Sequence, residues 1–200
     1  MSAPLIVDRD EGLTLNAGNA CAWTTDFAAV PPSAPEDPTA VPAAAWIPVG
    51  ACDQTGITEG FTETTVNVMA IGILSAFRVL YTEETKTFQV VLLEMERDIC
   101  QSVMFKVPLL SLARSGGFRS VAEVSAPVPD RRAWLFRIAD GDVIQQFYVP
   151  QGEVTTRANV AYAQNDVAKF DVTMTCYPDA DNVTCYRLDN APATPAASNS

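Results

Sequence analysis

Few residues in this chain could do chemistry, and they are scattered. Histidine is absent, which removes imidazole acid/base catalysis, Ser-His and Cys-His nucleophiles and histidine metal sites together. Cysteines stand at 21, 52, 100, 176 and 185 without CxxC spacing. Cys52 and Cys100 have no basic neighbour in sequence to lower a thiol pKa, so both read as inert. Glu94, Glu96 and Asp98 offer carboxylates of the kind that flank a glycosidic bond. Three acids at the head of an apolar-periodic segment read better as partners of a helix dipole. Glu59 and Glu63 share a strand face with Phe61, Thr65 and Asn67, which suits a solvated, lumen-lining or inter-subunit face. Asp179, Asp181, Asn182 and Asp189 lack the Gly and terminal Glu of a calcium loop and read as a polar loop. Asn182-Val183-Thr184 is a glycosylation triplet whose meaning depends on secretion. Trp23, Trp46 and Trp134 could stack on sugars, but scattered tryptophans in a β protein more often fill cores and interfaces. No catalytic residue, metal or cofactor follows from these residues.

Two hundred residues suit one domain, or one domain with arms. There are 24 Asp and Glu against 13 Lys and Arg, a net charge of -11. A chain that grips nucleic acid does so through Lys and Arg, so this balance argues against such a grip. The opening MSAPLIVDRDEG has no basic region followed by an apolar one, which predicts no secretory signal. No apolar run has the length of a membrane helix. The expected compartment during synthesis is a reducing cytosol, with the cysteines as small buried hydrophobes.

The elements follow from periodicity. Pro4 to Val7 suits a short strand. Residues 13–45 are rich in Ala, Pro, Thr and Asp and read as an extended arm that docks through Trp23, Phe27 and Val30. Strand texture begins at Trp46. Thr58 to Ala70 and Ile73 to Thr82 read as strands, Glu83-Glu84-Thr85-Lys86 as a polar turn, and Thr87 to Glu94 as a central strand. Residues 95–107 change to a helical period, with Ile99, Val103 and Met104 on the packing face and Pro108 as the stop. Phe118–Ala126, Arg132–Ala139, Val143–Pro150 and Val154–Tyr162 are further strand candidates. Asp140-Gly141 is a hairpin signal. Val167 to Tyr177 alternates cleanly, with Phe170, Val172, Met174 and Cys176 on one side. Residues 189–200 are a polar Pro/Ala/Ser tail.

The order AWIPVG, GITEGFTETTVNV, AIGILSAFRVL (a strand with a buried Arg), TFQVVLLE, one helix, then FYVPQGEVTTRANVAY and AKFDVTMTCYPD resembles a known family. It is similar to the major tail tube proteins of long-tailed bacteriophages with non-contractile tails, particularly those of actinobacteria, over about residues 46–188. The resemblance implies a mainly β, sandwich-like subunit with one flanking helix. Its domain plan is an N-terminal strand and arm (1–45), a tail-tube β-domain (46–188) and a C-terminal tail (189–200). Sheets join between subunits into a ring-wide β-barrel, and hexameric rings stack into a tube. The implied partners are further copies of the chain, the tape measure protein, and the tail tip and tail terminator proteins. Double-stranded DNA passes through the acidic lumen without specific binding, and no membrane is involved. The implied location is the virion tail, with assembly in the host cytoplasm. Other readings are a tail terminator, a capsid decoration protein or a carbohydrate-binding β-sandwich.

Overall fold

A computed structural model describes residues 19–190, apart from 28, 70, 72–77, 113, 124, 126 and 127. Expectations for Pro4–Val7, for residues 73–77 and for most of the C-terminal tail lie outside the described residues. The strands are β1 (Asn19–Thr24), β2 (Ile47–Pro48), β3 (Cys52–Val68), β4 (Arg78–Leu92), β5 (Arg114–Ser115), β6 (Phe118–Arg119), β7 (Arg131–Asp140), β8 (Val143–Arg157), β9 (Phe170–Tyr177) and β10 (Tyr186–Asp189). Among the described residues the only α-helix is α1 (Asp98–Phe105). Eight strands form one sheet in the order β2-β1-β7-β8-β9-β4-β3, with β10 also paired to β8, and every pairing is antiparallel. β5 and β6 form a separate two-stranded hairpin.

The expected sandwich is made by one sheet that coils over itself. Phe88 on β4 stacks on Phe136 of β7 with ring centroids 4.9 Å apart, although β8 and β9 lie between those strands in the sheet. Right-handed twist accumulating from strand to strand brings such distant strands face to face. The core inside this curl holds Phe88, Val90, Leu92, Trp134, Phe136, Phe147, Val149, Phe170, Val172 and Met174. Strand β9 shows how sequence places them. Phe170, Val172, Met174 and Cys176 are buried and the residues between them are half-buried, as period-two alternation requires. Each such apolar side chain contributes on the order of 1.5–3 kcal/mol by leaving water.

Helix α1 packs Ile99, Val103 and Met104 into this core. It is shorter than the periodic segment 95–107. Lys106 adopts a left-handed conformation (φ 54) and ends the helix before Pro108, while Met95 packs on the core from outside it. A buried ion pair ties the helix to the sheet. Arg132 meets Asp130 at 2.6 Å and donates to Ser102 O at 3.0 Å and Ser102 Oγ at 2.8 Å. Burial pushes the Asp130 carboxyl up, while Arg132 opposes that shift.

Several boundaries differ from the sequence reading. Residues 83–86 are no turn: each has a cross-strand partner on β3, from Phe61↔Lys86 to Thr64↔Glu83. The stretch contains no Gly, Pro or Asn to reverse the chain. Arg78, expected to be buried, is exposed at the start of β4. Val143–Pro150 and the start of Val154–Tyr162 are one continuous strand, β8. It passes Pro150 at an irregularity where β7 and β8 shift register, a position that needs no ladder N–H from proline. Among the described residues of Phe118–Ala126 only Phe118–Arg119 is strand, facing β5 across Gly116 and Gly117, both at positive φ. β9 begins at Phe170, not Val167. Within the expected arm 13–45, Asn19–Thr24 is an interior strand of the sheet, between β2 and β7. The Asp140-Gly141 signal does turn the chain. Asp140 pairs with Val143, and Gly141 takes φ 57 at the first central position, where a type II′ hairpin turn needs glycine.

Gly152 is required for close packing. A Cβ there would sit 2.7 Å from Trp134 Cδ1 and 3.3 Å from its Nε1. Trp134 is fully buried, and its Nε1 has no hydrogen-bond partner, so the indole gains nothing by moving toward this strand. Gly152→Ala is expected to cost about 1–3 kcal/mol, read as a lower urea midpoint with an unchanged slope. An unchanged midpoint would contradict the packing described.

Candidate assembly surfaces

The outside of the coiled sheet has two halves of different character. Over β7 and the first part of β8 it is covered by the proline-rich segment 31–42. Repeated prolines hold much of that segment out of helix and sheet, and its one internal backbone hydrogen bond is the turn from Ala40 N to Asp37 O at 3.2 Å. The sheet supplies the donors instead. Tyr148 Oη donates to Pro32 O at 3.0 Å, and Gln146 Nε2 to Pro35 O at 2.8 Å. Arg137 donates to Asp37 O at 3.4 Å and to Ala40 O, and its Nε binds Gln146 Oε1 at 2.8 Å. Its guanidinium also sits 5.4 Å from the Trp23 ring centroid. Burial holds the Arg137 pKa below its ordinary value, with the Asp37 charge opposing that shift. Trp46, Ala133, Leu135 and Tyr148 form a second small core beneath this strap, with Trp23 and Ala34 against it. β7 is therefore buried on both faces. A cleft of about 580 Å³ remains between the strap and β10, lined by Pro35, Tyr148, Tyr186, Arg187 and Leu188 among others.

Over β9, β4 and β3 no such cover is present among the described residues. Register puts Thr58, Gly60, Thr62 and Thr64 of β3 beside Gln89, Thr87, Thr85 and Glu83 of β4. Thr87, Gln89 and Val91 in turn face Thr175, Thr173 and Asp171 of β9. The result is a threonine-rich face, half-exposed or exposed. Thr155 Oγ1 lies 2.9 Å from Thr175 Oγ1, and Gln89 Nε2 donates to Asp171 Oδ1 at 2.9 Å. The nearby cation, Lys169, is paired with Asp53 at 3.3 Å.

Beyond Lys86 the β3–β4 hairpin outruns β9 and becomes a two-stranded ribbon. Phe61–Val68 and Arg78–Glu84 are exposed throughout. Its apolar residues include Phe61, Val66, Val68, Val79, Leu80 and Tyr81. Val66 and Leu80 face each other across the two strands on one side, and Val79 and Tyr81 point to the other.

The sequence-derived site residues fall on several of these features. Glu59 is drawn toward the core side, 2.7 Å from Lys86 Nζ and bonded to Arg187. Glu63, Thr65 and Asn67 lie on the exposed ribbon. Trp23 sits in β1, and Phe27 is half-buried with Arg132 5.9 Å from its ring centroid. Val30 is 89% exposed and docks on nothing described. Arg137, Gln146 and Tyr148, which hold the strap, escaped the sequence reading. Their signal was a polar residue on each of two strands whose neighbours are apolar on both faces.

The chemistry-bearing side chains have structural work. The Glu94 carboxylate accepts from Ala51 N at 2.7 Å and Arg97 Nε at 2.9 Å. The Ala51 N–H and then Arg97 hold its pKa below the usual range. Glu96 and Asp98 clamp Arg119 at 2.8 Å each, anchoring the β5–β6 hairpin. Asp179 accepts from Tyr186 Oη at 2.7 Å and from the N–H groups of Asp181 and Val183, which organises its loop and lowers its pKa. Burial pushes the Cys52 thiol up to about 11, and the Cys100 and Cys176 thiols up to about 12. Such thiols are poor nucleophiles at neutral pH.

An antiparallel sheet with an unsheathed face, a long unpaired edge and an exposed apolar ribbon suits assembly rather than turnover. The sequence matches the family described as phage tail tube protein over residues 9–198. The chain therefore belongs to the phage tail tube protein family. It is a structural component of the virion tail and not an enzyme. No curated protein matches it.

Arg137→Ala removes donors from two strap carbonyls and from Gln146. It is expected to cost about 1–3 kcal/mol and to speed amide exchange at Thr39 and Ala40 relative to β9. Unchanged exchange there would show that the strap is held by something else.

Proposed function

We propose that this protein forms hexameric rings that stack into the tube of a long, non-contractile tail, of the type found on phages of actinobacteria. The threonine face of β3, β4 and β9 lines the bore, and genomic DNA passes along it. The observation that carries this reading is the division of the sheet's outer surface into a strapped half and a bare half. A strap that covers one half but leaves the other open suits a subunit whose two halves face different surroundings in a ring. Copies of the chain are the principal partners. The tape measure protein occupies the bore during assembly, and tail tip and terminator proteins close the two ends. Assembly takes place in the host cytoplasm.

The bare face suits DNA passage because it offers little to hold a phosphate. Hydroxyls dominate, Glu83 and Asp171 add negative charge, and Lys169 is already neutralised by Asp53. Two like charges 10 Å apart in water repel by only ~0.4 kcal/mol, and salt screens beyond about 8 Å. Single acids therefore matter little. What matters is that no unpaired cation stands on this face among the described residues, a feature repeated from ring to ring. The acidic balance of the whole chain works in the same direction.

Purified protein at high concentration, or seeded on tail initiator proteins, is expected to give rings or hollow rods in negative-stain micrographs. A persistent monomer under both conditions would end this reading. Rods of the wild type are expected to leave DNA unbound. Rods of Thr87→Lys/Thr173→Lys should retain DNA in a salt-dependent way. Equal DNA retention by both would move the bore to another face.

A further inference from the structure

We propose that the outer edge of β3 in one subunit pairs with Val154–Arg157 of the next, and that Glu63 meets Arg157 across this seam. The proposal rests on the ring reading above and names its contact. It starts from two unpaired edges. β3 has β4 on one side and no strand on the other among the described residues. β7 pairs with β8 only as far as Arg131↔Glu153. The last turn of β8, Val154–Arg157, keeps β9 on one side but has lost its β7 neighbour on the other.

Between those edges lie four adjoining strands in the order β8, β9, β4 and β3, each antiparallel to its neighbour. Four is even, so β3 runs opposite to β8. Rotation about a ring axis leaves the direction of β8 along that axis unchanged in the next copy. A β3-to-β8 junction is then antiparallel in every copy, and one contact closes the whole sheet. The paired stretch of each edge would then no longer be a template for aggregation.

The side chains agree on both faces of this junction. Thr62 and Thr64 lie on the threonine face, and on β8 Thr156 is aligned with Thr173 of that same face. Hydroxyl-bearing cross-strand pairs of this kind stabilise sheets. On the core side, Glu63 follows Glu59, which is opposite the buried Phe88. Arg157 is opposite the buried Val172 and so points to the same side. Their charges are also uncompensated. Glu63 lies directly across from Glu84, a like-charge pair that destabilises a free ribbon. Neither acid has an ion-pair partner among the described residues. Arg157 is exposed and donates to Met104 O at 2.8 Å, with no carboxylate partner among the described residues. A cation from the neighbouring copy relieves the Glu63–Glu84 repulsion, and an acid from the neighbour neutralises Arg157.

Charge exchange in the full chain tests this. Glu63→Arg and Arg157→Glu are each expected to lower rod yield by about tenfold or more, since like charges then face each other at every seam. The double variant should recover most of the yield. Circular dichroism of the monomers checks folding, and Glu63→Gln gives a milder substitution if Glu63→Arg misfolds. Independently, Thr62→Cys/Thr156→Cys or Thr64→Cys/Thr156→Cys should give oxidised multimer ladders from rods, with the single cysteine variants as controls. Wild-type rods together with an unrescued double variant and no ladders would overturn the seam while leaving the tube intact. Wild-type protein that forms neither rings nor rods would instead overturn the ring reading.

Discussion

An unpaired strand edge is the constraint around which this structure is arranged. β3 runs for 17 residues, and among the described residues no strand pairs with its outer side. A row of free N–H and C=O groups of that length invites another strand. Single-chain folds blunt such edges with proline, bulges or a covering loop. Here the proline-rich segment is spent elsewhere, on β7 and β8. The only relief along the ribbon is a register shift between Thr64 and Thr65. The edge is left competent to pair, as a subunit destined for a larger sheet would need.

The rest of the molecule secures that edge at a fixed angle. β8 acts as a spine, holding β7 on one side and both β9 and β10 on the other. The coiled sheet closes on its own core through Phe88 and Phe136, so the base of the β3–β4 hairpin is rigid even where its far end is exposed. Helix α1 and the Arg132–Asp130 pair lock one flank. The strap locks the other. A buried guanidinium satisfied chiefly by carbonyls is costly to break, because each partner is then left unpaired in a dry site. Such a cost favours a single strap position.

Much of this was legible in the sequence where burial is one-sided. β9 declared itself through strict alternation from Phe170 to Cys176, and the helical face of Ile99, Val103 and Met104 through its period. Glycine at 141 marked a true hairpin. Legibility failed where burial is two-sided or absent. β7 is sealed on both faces, so the polar Arg137 signalled a buried partner without showing that the partner is a strap. The ribbon is wet on both faces, so Glu83-Glu84-Thr85-Lys86 looked like a turn although it continues a strand. β1 was hidden because CAWT sits beside a proline-rich run whose composition dominated the segment. Glu59 and Glu63 looked equivalent in sequence, yet Lys86 and Arg187 claim only the first. Their difference comes from Arg187 on β10, far away along the chain, and from Lys86 at the buried end of the facing β4.

Amide exchange along β3, compared between the monomer and the assembled tube, tests the central claim most directly. If this edge is completed only by another copy, alternate amides from Thr62 to Val66 exchange quickly in the monomer and become protected in the tube, while those bonded to β4 are protected in both. Amides already slow in the monomer, or equally fast after assembly, would show that no neighbouring strand ever occupies that edge.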